Sequence, residues 1–182
     1  GMSQPDVLIA AHDADKYVPL LEEMLDGKVR LSTARNANEA VKVYQGQAVV
    51  LGEPDLLAPV LDQMPKVRWV QSSWAGVTPL LQSHRGNLVL TGIKDVFGGQ
   101  MSEYVFAYLL AREVRLMERQ EHQWRKSWWD KPSGCLQGKT LGVMGTGSIG
   151  RAIAERGCDF GMEAVGFSRS GSPVSPFRSV WA

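Results

Sequence analysis

The sequence predicts an α/β protein in which a doubly wound parallel sheet is followed by a long connector helix and by the first β-α-β of a second sheet. Three observations predict it. Short apolar or β-branched runs alternate with amphipathic helical patterns through about residue 96, and such alternation implies βαβ crossovers and a sheet covered on both faces. A glycine pair, Gly98-Gly99, then interrupts the pattern ahead of a long helical stretch. Finally, a glycine-rich turn at 145–150 joins a strand to a helix.

Strands are expected at Val7–Ala11, Lys28–Ser32, Ala48–Gly52, Val67–Gln71 and Leu88–Thr91, because each run is too short for a helix and is bounded by turn residues. The first helix places Tyr17, Val18, Leu21, Met24 and Leu25 on one face and stops at Gly27. The second opens at Asn36 with Glu39 three residues on, a capping-box arrangement, and ends at Gly46. A third is expected from about Leu56 to Met64, with Pro59 tolerable only in its first turn. Residues 1–96 are therefore read as one flavodoxin-like unit. Residues 97–134 are read as connector, with a single helix from Ser102 to about Lys126 carrying Phe106, Leu109, Leu110, Val114 and Met117 on one stripe. Trp124, Trp128 and Trp129 at its end read as core or interface packing. Residues 135–182 open a further α/β unit, whose tail from Gly171, with Pro173 and Pro176, is not expected to continue the sheet.

The 182 residues are 44% hydrophobic and 21% charged, enough apolar material for a packed core and too little polarity for disorder. A net charge of +1 without a basic cluster argues against a nucleic-acid partner. No apolar run approaches the roughly eighteen residues of a membrane span, and Met2–Asp6 lacks the basic and apolar regions of a leader. No membrane partner is expected, and the expected location is cytoplasmic. Cys135 and Cys158 lack CxxC spacing, so buried, unreactive thiols are expected rather than a disulfide or metal site.

Thr140–Met144 reads as a strand, Gly145-Thr146-Gly147-Ser148-Ile149-Gly150 follows at once, and Arg151–Phe160 reads as a helix. This GxGxxG lies where a Rossmann dinucleotide site requires it. Gly145 permits the tight turn, Gly147 lets the backbone approach a pyrophosphate, and Gly150 lets helix and strand pack closely. The helix N-terminus offers unpaired amides to the phosphates. The second strand, Glu163–Phe167, ends in Ser168-Arg169-Ser170, where enzymes using NAD place an acidic residue on the ribose. A guanidinium flanked by hydroxyls suits a 2′-phosphate instead, so NADP (NADPH) is expected in preference to NAD.

Three segments in order, Val67–Val77, Gly99–Tyr104 and Gly138–Gly150, resemble the D-isomer-specific 2-hydroxyacid dehydrogenases, and among them the glyoxylate/hydroxypyruvate reductase branch. The resemblance implies an oxidoreductase whose flavodoxin-like domain holds a small 2-oxo or 2-hydroxy acid and whose Rossmann domain holds the nicotinamide cofactor. It places the substrate carboxylate on the backbone of Ala75, Gly76 and Val77, makes Trp74 a pocket wall, brings Met101 to the nicotinamide and implies a homodimer involving the connector helix. An exposed amide segment after the fourth strand agrees with ligand binding at the carboxyl ends of strands. Family members carry a catalytic Arg, Glu and His after the second Rossmann strand. His12, His84 and His122 all precede the fingerprint, so no catalytic residue is assigned. The expectation is a chain truncated within its Rossmann domain and inactive alone. Two other readings remain: a non-catalytic binding or dimerising remnant, and a phosphoreceiver built on Asp13, Asp15, Asp55 and Lys94, which fits poorly because Asp55 lies beyond the strand end.

Overall fold

The computed structural model describes residues 4–82 and 86–182. They form two compact units, the first up to Lys94 and the second Asp95–Ala182.

In the first unit β1 (Asp6–Ala10), β2 (Arg30–Ala34), β3 (Val49–Gly52), β4 (Trp69–Ser72) and β5 (Val89–Thr91) make one sheet in the order β2-β1-β3-β4-β5. Every pairing is parallel. The helices α1 (Ala14–Leu25), α2 (Ala37–Val43), α3 (Pro54–Leu57) and α4 (Thr78–Leu81) connect these strands. Alternation along the strands divides the core in two. Leu8, Val50 and Val70 pack with Leu57, Leu61 and Met64, while Ile9 packs with Ala14, Tyr17 and Leu21.

Local chemistry explains the element ends. Asn36 Oδ1 accepts the Glu39 N–H at 2.9 Å, which starts α2. Glu39 reaches back to the Arg35 N–H at 2.8 Å, one residue short of the reciprocal capping-box partner. The expected third helix from Leu56 to Met64 is instead α3 followed by a separate 3-10 turn, Leu61–Gln63. Pro54, which lacks an N–H, fits the first turn of α3, and Pro59 falls after that helix has ended. The short α4 was not anticipated. Asp55 sits in the first turn of α3 rather than at the end of β3, where Glu53 stands.

In the second unit α5 (Gly98–Glu113) and α6 (Leu116–Trp124) precede β6 (Thr140–Met144), α7 (Ser148–Asp159), β7 (Glu163–Phe167) and β8 (Ser179–Trp181). These strands form a parallel sheet in the order β6-β7-β8. Three expectations are corrected here. First, the connector is two helices, because Arg115 takes a left-handed conformation (φ 54°) between them. Its guanidinium lies 4.4 Å above the Trp129 ring, which also stacks on His122. At the start of α6, a backbone N–H and the Arg115 side chain hold the Glu118 carboxyl below its ordinary pKa. Second, Gly98-Gly99 begins α5 rather than breaking the pattern; a Cβ on Gly98 would lie 2.9 Å from Ala152 Cβ, so the glycine permits close packing of α5 on α7. Third, the tail does continue the sheet: β8 pairs with β7 through Val165↔Ser179 and Phe167↔Trp181, and Phe177 is buried against Val143, Ala154 and Ala164.

The tryptophans divide: Trp129 is partly buried, whereas Trp124 and Trp128 are 74% and 93% exposed. Both cysteines are exposed, contrary to expectation. Among the described residues no helix is long and apolar enough to cross a membrane, and no group of three or more His, Cys, Asp or Glu is placed to hold a metal ion.

Candidate functional site: a glycine-rich cradle and an open loop

The cradle lies in the second unit, at the carboxyl end of β6. Gly145 has φ 100°, a region L side chains rarely enter, and it turns the chain sharply out of the strand. A Cβ on Gly147 would meet nothing within 4 Å, so its backbone faces open space. A Cβ on Gly150 would sit 1.9 Å from the Gly145 carbonyl oxygen, so only glycine lets the helix begin this close to the turn. Gly166 contributes in the same way from β7, since a Cβ there would lie 2.6 Å from Thr146 Cγ2.

Two hollows flank this turn. One of about 840 Å³ is shared by Gly145, Thr146, Gly147, Ser168, Arg169 and Ser170. The other, about 380 Å³, is lined by Ser148, Ile149 and Gly150 with the turn glycines. Arg169 is exposed and has no carboxylate partner among the described residues. Ser168 Oγ accepts the Gly171 N–H at 3.2 Å, which folds the chain back under the arginine. These features fit a dinucleotide: glycines without side chains where phosphates would lie, a helix N-terminus behind them, and an unpaired cation beyond the second strand. Met101, in the first turn of α5, lies on neither hollow.

The second candidate element, an open loop, lies in the first unit beyond β4. Buried Ser72 forms it, because its Oγ donates to the Trp74 carbonyl at 2.8 Å while accepting the Trp74 N–H at 2.9 Å. A relay stiffens the strands beneath: Trp69 Nε1 donates to Thr91 Oγ1, Thr91 Oγ1 to Gln71 Oε1, and Gln71 Nε2 to the Ser72 carbonyl. The N–H groups of Ala75, Gly76 and Val77 donate to no partner among the described residues. A Cβ on Gly76 would meet only open space. Trp74 is 41% exposed beside these amides. Ser72, Gln71 and Thr91 were missed at the sequence level, since nothing in a strand's apolar pattern marks a side chain that serves the following loop.

The described histidines have local partners. His12 Nδ1 lies 2.5 Å from Glu53 Oε2, and His122 Nδ1 bonds Ser127 Oγ at 2.7 Å. His84 lies outside the described residues.

Residues 106–180 match the NAD binding domain of the D-isomer specific 2-hydroxyacid dehydrogenases. A glyoxylate reductase of Thermococcus kodakarensis is 31% identical, over 93% of this chain and 55% of that enzyme; one from Aeropyrum pernix is 30% identical, over 86% and 46%. The chain thus spans about half the length of the curated relatives it matches. Among solved structures, a D-isomer specific 2-hydroxyacid dehydrogenase family protein from Aeromonas salmonicida is 36% identical with a TM-score of 0.91, covering 99% of this chain and 59% of that one. A probable 2-hydroxyacid dehydrogenase from Rhizobium etli, solved with NADP, HEPES and L(+)-tartaric acid, shares the fold at a TM-score of 0.74 and 19% identity, covering 97% and 56%. The parallel sheets, the glycine turn and the matched segment agree: residues 106–180 carry the NAD binding domain of the D-isomer specific 2-hydroxyacid dehydrogenases, the family to which the chain as a whole is similar.

Proposed function

We propose that the chain serves an NADPH-preferring oxidoreductase that reduces a small 2-oxo acid such as glyoxylate or hydroxypyruvate to the 2-hydroxy acid. The hollow shared by Gly145–Gly147 and Ser168–Ser170 carries the reading, because it joins a side-chain-free phosphate seat to an unpaired guanidinium. The bound cofactor would supply the hydride that reaches the C2 carbonyl carbon, and a proton must reach the carbonyl oxygen. Gly145, Gly147 and Gly150 would seat the pyrophosphate, Thr146, Ser148 and Ile149 would line its flanks, and Arg169 with Ser168 and Ser170 would take the 2′-phosphate. The free amides of Ala75, Gly76 and Val77 would hold the substrate carboxylate beside Trp74. Met101 remains the proposed neighbour of the nicotinamide.

No proton donor is assigned, since His12 and His122 already face Glu53 and Ser127. We therefore expect this chain by itself to bind cofactor weakly and not to turn over, because losing a general acid alone costs about a hundredfold or more. NADPH binding by the 182-residue chain, followed through cofactor fluorescence, tests the first half. Glyoxylate- or hydroxypyruvate-dependent loss of NADPH absorbance tests the second. Binding without turnover also fits a non-catalytic role; a robust rate would show that the catalytic groups lie within these residues.

A further inference from the structure

We infer that Lys94 is the counter-charge that draws the substrate carboxylate onto the Ala75–Val77 amides, and that the hollow beside it takes a short aliphatic tail. The inference rests on the carboxylate reading of that loop and adds to it a side chain and a substrate class.

The loop offers neutral donors only: the N–H groups of Ala75, Gly76 and Val77 have no partner among the described residues. Neutral donors orient a carboxylate but do little to attract it from water. β5 ends against the same loop. A Cβ on Gly92 would lie 3.6 Å from Val77 Cγ1 and 3.7 Å from the Ala75 and Trp74 carbonyls, so the chain leaving β5 runs along the loop's flank. The hollow between them measures about 540 Å³, and Ala75, Val77, Leu90, Ile93 and Lys94 are among its walls. Among the described residues, Lys94 is the one ionisable residue on that lining. It is exposed and has no acidic partner among the described residues, so its charge is available to a ligand. Thr91, the hydroxyl of the same hollow, is committed to Trp69 and Gln71.

One cation on the same lining as Ala75 and Val77, with aliphatic walls beyond, suits a monoanion that has a carboxylate at one end and a short hydrocarbon at the other. A lysine stem can lie along such a wall while its ammonium stays in water. A second anionic group at the tail would meet Leu90 and Ile93 and find no further cation among the described residues of this lining.

The test uses the 182-residue chain without cofactor, labelled with 15N, and 2-oxobutanoate as the probe at low salt. Saturable shifts are expected at the Ala75–Val77 amides. Lys94→Met should weaken binding about fivefold, the scale of one solvent-exposed charge pair. Lys94→Arg should bind like the original chain, and Lys42→Met, which removes an exposed charge on α2, should change nothing. Unchanged affinity in Lys94→Met, with the Gly76 and Val77 amides still responding, overturns the role of Lys94 and leaves the loop reading intact. Equal weakening by Lys42→Met also overturns it, since the attraction would then be diffuse. No response at Ala75–Val77 in the unsubstituted chain overturns the loop reading and the Lys94 role together.

Discussion

Glu53 gives both carboxylate oxygens to His12: Oε1 accepts the His12 main-chain N–H at 3.1 Å and Oε2 lies 2.5 Å from the ring Nδ1. The glutamate is 8% exposed while the histidine side chain is 76% exposed. The pair ties the end of β1 to the residue after β3, where Glu53 N–H also bonds the Ala10 carbonyl. Removing the carboxylate leaves the turn's N–H without a partner, a loss of about 1–3 kcal/mol. Glu53→Ala should therefore destabilise the first unit by that amount in urea unfolding. His12→Ala should cost less, because the main-chain bond survives. Equal costs for both substitutions would show that the ring contact alone carries the effect.

Gly147 and Gly150 should separate binding from folding. Alanine at 147 meets open space, so Gly147→Ala should keep its melting temperature while losing NADPH affinity, because the new methyl occupies the phosphate side of the turn. Alanine at 150 collides with the Gly145 carbonyl at 1.9 Å, so Gly150→Ala should lose about 2 kcal/mol or more of stability together with the affinity. Thermal melts alongside cofactor fluorescence read both. Unimpaired NADPH binding by Gly147→Ala would remove the turn from the cofactor site.

Among the described residues Arg169 has no partner to lose, so its replacement should leave stability within about 0.5 kcal/mol. Arg169→Asp exchanges a 2′-phosphate partner for an acceptor of the ribose hydroxyl. The ratio of NADPH to NADH affinity should fall about tenfold or more, the scale of one charge-assisted bidentate contact. Titration with each cofactor measures it, and an unmoved ratio would argue against NADPH preference at this position.

The tail carries structural weight that its composition hides. Phe177 is 9% exposed, and its ring lies where a Cβ on Gly166 would fall 3.2 Å away. Phe177→Ala should cost the second unit about 3 kcal/mol. Amide exchange should quicken along β7 and β8 together, since the two strands share a ladder. Unaltered protection of β7 would mean that β8 is not docked in solution.

Much of this architecture was legible because strand and helix periodicity are local. The bounds of β6 and β7 coincide with the expected Thr140–Met144 and Glu163–Phe167, where apolar runs end at glycine or at a serine-arginine turn. The break between α5 and α6 was not legible: Arg115 bears no mark of a left-handed residue, and what accompanies it is Trp129, fourteen positions away, under its guanidinium. β8 was hidden for a related reason, since three residues beside two prolines show no period and are defined by pairing with β7. At the candidate site the glycines announced themselves through spacing, whereas Ser72 is defined by its bonds to Trp74, and Lys94, singled out in the sequence for phosphoreceiver chemistry, meets the loop's hollow only in three dimensions.

The surface expected to form a dimer is relocated by the packing of α5. Phe106, Leu109 and Leu110 of the expected stripe pack with Leu136 and Met162 in the second unit's own core, so they are not free to meet a partner. Val114 and Leu116 stay exposed as well, and the most exposed apolar side chains here are Met117 and Trp124 on α6 and Trp128 just beyond the helix, at 66%, 74% and 93% exposure. Two nearly bare indoles are costly in water, and covering them against a second copy would return much of the transfer free energy, about 25 cal/mol per Å² of apolar area buried. Arg115, Arg119 and His122 already hold Trp129, so the loop that presents Trp128 is anchored and need not be ordered on pairing. A homodimer through α6 and this loop is therefore expected at micromolar concentration in sedimentation velocity. Trp124→Ala with Trp128→Ala should shift it to monomer while leaving the melting temperature of that monomer close to the value for the dilute parent chain. A parent chain that sediments as monomer throughout would sink the proposal, and a dimer that survives the double substitution would move the interface to another face.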